Sequence, residues 1–520
     1  MLHCNLAEIL LYRPELDNGL PAIVWQGQSF SRGWLQRHVR NMASNAASLK
    51  VTPDDRVLLL MPDSPYLVVS FLAMLAIGAI PVLINPKTSA DSLRHMLLDS
   101  RARTVIVDES ETGRLGAVIE QSAYVKLLIR HGAAENWEVY RATLRQLPLD
   151  WFLRDDILAF TFEFYQKKPA STSFWQYTSG TTGPPKAVQH SQQVMLTAIK
   201  QFAQGVLHLG PQDRVYSIAK MFFGYGLGNS LFFPLATGAT VWLDAGWPTA
   251  QRVDAAVQEF CPTVLFGVPK MYSLLAQHPE LLAQPKWQQI RVFFSAGSYL
   301  TSELNEHWHG LTGHFITDGI GTTEMGHVYL SNRLHAPIPG QTGFPIPGYE
   351  VQLVPDEFIP SQMDAGRGEM WVKPSFVPGT YWENEAANQR KFQDGWYKTG
   401  DVFSRSADGS YRYLGRNDDL FKVNGRWVVP GEVEDLVFHH FAVEECALVG
   451  VPGPDGHTTA TLFYCSRDHA IGHEHLVERL RLRLEGHKVP TRSFRLPEFP
   501  RNDNGKLLRA ELVKLAAQFL

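Results

Sequence analysis

Cysteine is scarce in this chain. Its 520 residues carry four, Cys4, Cys261, Cys446 and Cys465, scattered with no CxxC pair and no metal-ligand spacing. That excludes a disulfide framework and a structural zinc site as organising features, and a reduced, cytoplasmic setting is expected. Charge of one sign is also lacking: 48 basic residues face 52 acidic ones, for a net charge of −4, and no segment gathers Lys and Arg into a stripe. Nucleic acid is therefore not expected as a partner. The N-terminal stretch MLHCNLAEILLYRPEL has no basic leader region and carries Glu8 inside its apolar run, so no signal peptide is expected. A long unbroken apolar run is missing too. Tyr66 to Pro86 has the length of a membrane span, but Gly78 and Pro81 interrupt it. The stretch predicts a buried helix through Ile77 and a buried strand from Ala79 to Asn85, without a membrane span. No period of the length used by solenoid repeats recurs.

What is present is an alternation. Strand-like runs at Ala22 to Trp25, Arg56 to Met61, Thr104 to Val107, Arg214 to Ser217, Thr240 to Leu243, Val264 to Gly267 and Val292 to Ser295 are separated by helix-like runs, among them Ser191 to Val206 and Thr249 to Phe260. That pattern predicts layered α/β sheets, largely parallel. Glu109 to Ser171 carries no clear pattern. Gly340 to Tyr413, rich in Gly, Pro, Trp and Tyr, predicts a β-rich subdomain. A polar break at Gly415 to Asp419 (GRNDD) precedes a last block with its own helix and strand patterns. The chain is too long for one compact core. The expected fold is α/β, with a large domain over 1–417 and a small α+β domain over 418–520.

Chemistry concentrates first between Tyr177 and Ser191, YTSGTTGPPKAVQHS. Thr178, Ser179, Thr181 and Thr182 offer hydroxyls, Gly180 and Gly183 allow backbone N–H groups to approach an anion, and Lys186 supplies a point charge. This is the composition of a phosphate-holding loop. Its spacing is not that of a Walker A loop, because Lys186 follows Pro185 and precedes Ala187. Two further stretches, Ser295 to Ser298 (SAGS) and Asp318 to Glu324 (DGIGTTE), fall after predicted parallel strands, where ligands collect in doubly wound sheets. Thr323 offers a hydroxyl there, and Glu324 a carboxylate of the kind that shares a Mg²⁺ with a nucleotide's phosphates. Later come WYKTGD, ending at Asp401, then YLGRNDDLFKVNG with Arg416, Asp418, Lys422 and Gly425, and PRNDNGKLLRAEL with Lys506.

Taken in order, the stretches beginning at Tyr177, Gly319, Trp396, Tyr413 and Pro500 resemble the adenylate-forming superfamily of acyl- and aryl-CoA ligases, peptide-synthetase adenylation domains and luciferases. Ala187 departs from the glycine usual after the lysine. The resemblance implies an ATP site of Thr178, Ser179, Gly180, Thr181, Thr182, Gly183, Lys186, Ser298, Asp318, Gly319, Asp401 and Arg416. In it Asp401 anchors the ribose with help from Arg416, Thr323 meets the α-phosphate and Glu324 helps hold Mg²⁺. It also implies a small domain that rotates about Asp418 and brings Lys506 to the reacting oxygens, where a pentavalent phosphorus needs a cation.

The acid is addressed by KMFFGYGLGNSLFF, Lys220 to Phe233. Aromatic rings beside glycines make a flat apolar slot. The amino-acid-activating members of the superfamily it resembles place an aspartate in this region, and no acidic residue stands between Met221 and Phe233, so the resemblance disfavours an α-amino acid. With LFGVPKMY, FFSAGS, DGIGTTEMGH and DLFKVNGRWVVP, this stretch resembles the benzoate–CoA ligase branch, and within it the anthranilate–CoA ligases. The likeness implies a ring and carboxylate pocket of Phe222, Tyr225, Gly226, Ser298, Ile320 and His327, with His327 on the carboxylate or an ortho substituent. It implies entry of CoA past Lys422, Gly425, Arg426 and Trp427. The expected activity is an ATP-dependent aryl-CoA ligase for anthranilate or a related benzoate, with ATP, Mg²⁺ and CoA. The alternative is a stand-alone adenylating enzyme that loads a carrier protein, and a downstream carrier protein or synthase is a candidate partner.

Overall fold

The structure is a computed structural model, and it describes residues 3–132, 143–155, 162–178, 184–355, 366–441, 443–453, 456–466, 471–501 and 507–518. Two large sheets form the main body. The first runs, edge to edge, Thr380–Tyr381, Lys186–Ser191, Thr172–Thr178, Ile80–Leu83, Arg56–Leu60, Thr104–Asp108, Leu127–His131 and Arg145–Pro148. It is parallel from Thr172–Thr178 onward and antiparallel across Lys186–Ser191 and Thr380–Tyr381. The second runs Phe344–Pro345, Val328–Ser331, Ile316–Gly321, Val292–Ser295, Val264–Gly267, Arg214–Ser217, Thr240–Leu243, Pro21–Trp25 and Gln28–Ser31. Its middle is parallel, so the ends of Val264–Gly267, Val292–Ser295 and Ile316–Gly321 line up along one edge, as the sequence predicts for ligand-binding strands.

The predicted break in the longest apolar run is present. Ser64 accepts a hydrogen bond from the Leu67 N–H at 3.2 Å, Pro65 opens the helix, and Pro65–Ala76 is buried along nearly its whole length; serine caps and N-terminal proline favour such a start. Gly78 then turns with φ +78° beneath Tyr165, and the chain enters the buried strand Ile80–Leu83. No described helix is long and apolar enough to cross a membrane. The helix packs inward: Phe71 meets Phe174 of the first sheet and Phe232 of the segment after Lys220, with ring centroids 5.9 Å apart in both pairs. The principal core thus fills the space between the sheets.

A third sheet, Tyr349–Val354, Arg367–Pro374, Trp396–Arg405, Phe392–Gln393 and Tyr411–Arg416, is antiparallel, the β-structure expected between Gly340 and Tyr413. The unpatterned stretch after Glu109 contains the helices Glu109–Gln121 and Leu149–Leu153 and two strands of the first sheet. After the turn Asn417–Asp419 the chain forms a hairpin, Phe421–Val423 with Arg426–Val428, and the three-stranded sheet Glu445–Pro452, Thr458–Cys465 and Arg492–Arg495, flanked by Pro430–His440, His473–Arg481 and Arg509–Gln518. That part has its own apolar clusters.

Candidate functional site

Glu324 sits in the turn joining Ile316–Gly321 to Val328–Ser331. Gly326 closes this turn with φ +78°, donating to the Thr323 carbonyl at 2.9 Å, a conformation glycine adopts without strain. The Glu324 carboxylate is buried and accepts the Tyr381 hydroxyl; the Tyr397 phenol bonds it as well. Burial and this carboxylate push both phenols up. Tyr381 lies on the strand that pairs with Lys186–Ser191, and the Lys186 ammonium stands 5.6 Å from its ring centroid. Lys186 and Glu324 are thus brought together by a tyrosine that the sequence reading did not single out.

Asp401 and Arg416 are register partners on neighbouring strands. Arg416 Nε meets Asp401 Oδ1 at 2.8 Å, with the aspartate side chain 2% and the arginine 37% exposed. Asp401 keeps the guanidinium protonated by raising its pKa further. Thr399 fixes the turn: its hydroxyl accepts the Asp401 N–H at 3.0 Å and donates to the Met370 carbonyl at 2.6 Å. The buried Tyr329 phenol feels the charges of Asp401, Arg416 and Glu324 together, so the predicted ribose anchor and metal carboxylate share one wall. Asp318 is buried within the strand Ile316–Gly321, hydrogen-bonded by the Gly319 N–H and Thr342, and burial pushes its carboxyl well up. Thr178 ends its strand and Thr323 lies half-buried in the Glu324 turn, whereas Ser298 is exposed beyond Val292–Ser295. Ser179, Gly180, Thr181, Thr182, Gly183 and Lys506 lie outside the described residues.

The glycine-rich stretch is helical throughout: Gly224–Leu227, a π-turn at Gly228–Phe232, then Phe233–Thr237. Glycine ordinarily weakens helices; here it permits contacts a side chain would block. A Cβ on Gly226 would fall 2.0 Å from the Lys220 carbonyl, and one on Gly228 would fall 2.5 Å from His327 Cδ2. His327 is clasped by Phe202, Phe233 and Tyr225, with ring centroids 5.1, 4.6 and 5.7 Å away. Burial pushes its pKa down to about 3, so the imidazole is neutral. Its Nε2 lies 3.4 Å from the Tyr225 carbonyl, while Nδ1 has no partner among the described residues. A carbonyl only accepts, so Nε2 carries the proton and Nδ1 is left as an acceptor. Tyr225 donates to the Phe294 carbonyl at 3.1 Å, and Ile320 packs against the same core. Phe222 instead packs on Phe223 and the half-exposed Trp247. The start of this segment is pinned from the first sheet's side: the fully buried Asp63 accepts the Met221 N–H at 3.1 Å, and burial pushes Asp63 up to about 6.

Asp418 is exposed in the turn between the third sheet and the C-terminal part. Beside it Arg509 bonds Glu434 at 2.7 Å, lies 3.4 Å from Asp419, and donates to the Leu448 carbonyl at 2.8 Å. Lys422 lies over the Trp427 ring at 4.6 Å, Arg426 is exposed, and Gly425 follows Asn424 in a turn with φ +76° and +52°. Both central residues of this tight hairpin are left-handed, which accounts for the Asn-Gly pair.

A lysine beside a tyrosine ring, a phenol-clamped glutamate, an Arg-paired aspartate and a separate histidine caged by aromatic rings stand on this α/β framework, the arrangement expected of a nucleotide-dependent acid-activating enzyme. The chain belongs to the AMP-binding enzyme family, which it matches over residues 14–382, with the AMP-binding enzyme C-terminal domain over 432–506. It is 40% identical to an anthranilate–CoA ligase of Pseudomonas aeruginosa, over 98% of this chain and 96% of that one. A 3-hydroxybenzoate–CoA ligase of Aromatoleum sp. is 33% identical over 96% and 95% of the two chains. Among solved structures, an anthranilate CoA ligase in complex with anthranoyl-AMP superposes with a TM-score of 0.89 at 29% identity, covering 100% of this chain and 99% of that one. A benzoate CoA ligase from Burkholderia xenovorans does so with 0.84 at 32%, covering 98% and 99%.

Proposed function

We propose that this protein activates anthranilate, or a benzoate with a hydrogen-bond donor beside the carboxylate, and passes the aryl group to CoA. It is an ATP-dependent aryl-CoA ligase, an acid–thiol ligase that uses ATP, Mg²⁺ and CoA. The carboxylate attacks the α-phosphorus of ATP, the bond to pyrophosphate breaks, and the CoA thiol then displaces AMP from the aryl-adenylate.

Each step has residues suited to it. Asp401, held by Arg416, is the ribose anchor; Thr178, the 179–183 loop and Lys186 face the phosphates, with Asp318, Gly319 and Thr323 beside them. Glu324 fits a Mg²⁺ that arrives with ATP: it is a buried carboxylate, a hard oxygen donor fixed in place by the Tyr381 phenol. One carboxylate with phosphate and water completing the shell is how Mg²⁺ is commonly held on nucleotides, and the ion offsets phosphate charge. Lys506 is the cation for the reacting oxygens. The division at 417/418, with rotation about Asp418, exchanges Lys506 for the CoA face around Lys422, Gly425, Arg426 and Trp427.

The observation that carries the choice of acid is the state of His327. A neutral imidazole whose Nε2 proton is committed to Tyr225 offers a lone pair at Nδ1, which suits a donor such as an ortho amino group and does not suit a carboxylate. Aryl-CoA formation measured over a panel of benzoates with amino, hydroxy and no ring substituent tests this. Anthranilate is expected to have the highest kcat/KM; a preference for unsubstituted benzoate overturns the assignment. Release of aryl-adenylate without aryl-CoA, while a carrier protein becomes acylated, replaces CoA as the acceptor.

A further inference from the structure

One cation near the Asp401–Arg416 pair has no counter-ion among the described residues. Lys391 is the last residue of the helix Glu385–Lys391, which Asn384 starts by accepting the Ala387 N–H. A basic residue at a helix C-terminus ordinarily reaches into solvent and favours the dipole, as the exposed Arg390 beside it does. Lys391 turns inward instead. Its ammonium donates to the Lys398 carbonyl at 3.2 Å and lies 5.9 Å from the Tyr397 ring centroid. It stands 3.4 Å from where a Cβ on Gly400 would lie, and Arg416 Nη1 stands 3.7 Å from that same point. The two cations therefore flank the residue before Asp401.

The nearby carboxylates are already engaged. Asp401 is paired with Arg416, Glu369 accepts the Gly400 N–H at 2.8 Å, and Glu324 accepts two phenols. These charges all act on the half-buried Lys391, yet among the described residues it makes no ion pair. A desolvated ammonium bonded only to a carbonyl is costly without an anion. The anion this wall is built to receive is a phosphate.

We propose that Lys391 is a further phosphate-side cation of the nucleotide site, one that supplies positive charge to the phosphate chain of ATP. This rests on the nucleotide reading above. The ammonium lies within electrostatic reach of Asp401, Glu369 and Glu324, the first and last of which are assigned above to the ribose and to the metal on the phosphates. Arginine in its place keeps the charge, and methionine keeps the stem without it.

Equilibrium binding of ATP, AMP and adenosine to the full chain and to Lys391→Met and Lys391→Arg tests the proposal, together with the KM for ATP in anthranilate-dependent pyrophosphate exchange. Lys391→Met is expected to weaken ATP about tenfold and AMP less, leave adenosine within twofold, and raise the ATP KM without changing the anthranilate KM. Lys391→Arg is expected to recover most of the loss. Equal weakening of ATP and adenosine, or an arginine variant as poor as the methionine one, makes Lys391 a purely structural support and overturns the proposal; so does an ATP affinity within twofold of the parent. If Lys391→Met does not fold, the comparison of Lys391→Arg with Lys391→Gln decides by the same criterion. A parent chain that binds no ATP refutes the nucleotide reading itself.

Discussion

On the proposed assignment of His327 to the aryl ring, Gly228 sets the space beside it, and Gly228→Ala tests that assignment. The backbone at Gly228 is right-handed helical, φ −58°, so alanine meets no conformational penalty. The added methyl would lie 2.5 Å from His327 Cδ2, 2.7 Å from its Nε2 and 3.0 Å from Phe233 Cζ. Carbon pairs sit comfortably at about 3.5–4.0 Å, so the overlap is close to an ångström. The imidazole has no retreat among Phe202, Phe233 and Tyr225, and Phe233 is itself struck. Overpacking of this kind costs about 1–3 kcal/mol, and relief comes by rotating His327 off the Tyr225 carbonyl into the space meant for the ring. The assay is anthranilate-dependent ATP–pyrophosphate exchange. The anthranilate KM is expected to rise about tenfold or more, with the ATP KM unchanged and the preference for an ortho donor lost. Gly472→Ala is the control, since a Cβ there meets nothing within 4 Å. Adding His327→Ala to Gly228→Ala removes the clash, so the two effects should be strongly non-additive. An anthranilate KM within twofold of the parent in Gly228→Ala refutes the reasoning.

His190 is fully buried, stacked on Phe174 with neither ring nitrogen bonded among the described residues, and burial pushes its pKa down to about 3. A histidine depressed in the folded state contributes stability that is complete above its unfolded pKa near 6.5 and is lost as pH falls toward 3. His190→Leu should therefore flatten the loss of stability between pH 6 and 4 by about 1.4 kcal/mol per pH unit, read from denaturant melts; an unchanged slope contradicts the burial argument. Asp63 has the opposite sign. Raised to about 6, it contributes stability present below about pH 4 and lost as pH rises through about 6, so Asp63→Asn should steepen the acid loss over that window, and no change in the melts counts against it. Tyr381→Phe removes one phenol from Glu324 and leaves the carboxylate less fixed; the Mg²⁺ concentration for half-maximal exchange should shift several-fold, and an unaltered Mg²⁺ dependence removes the tyrosine from the clamp. Arg416→Met removes the arginine from the buried Asp401; breaking such a pair costs about 3–5 kcal/mol when fully buried and less at this exposure. Both the melting temperature and ATP affinity should fall, and retention of both refutes the ribose-anchor assignment.

The strands of the parallel sheets were legible because each is a short apolar run closed by polar or turn residues, and the break at Gly78 because Gly78 and Pro81 interrupt the apolar run. Glu324, Asp401 and Arg416 were legible as members of ordered motifs. Tyr381 and Lys391 were not. One stands on a strand of two residues and the other at the end of a seven-residue helix, and both acquire their place only when the third sheet folds against the first. The π-turn at Gly228–Phe232 was likewise hidden, because the need for missing side chains comes from His327, distant in sequence. Gly425, read as leaving space for a ligand, is required first by its own hairpin turn.

The antiparallel edge Thr380–Tyr381 bears on how the protein is made. It is the last strand to join the first sheet, pairing with Gln189 and Val188, and it carries the tyrosine that joins Lys186 to Glu324. A nascent chain still short of this strand has the parallel strands of both large sheets but an open edge beside Lys186–Ser191, with Glu324 missing its phenol. Such an unpaired edge is a template for association with other chains. The edge beside Lys186–Ser191 therefore stays open through the interval of synthesis between the two partners, and Asp401 and Arg416 are still to be made when it closes.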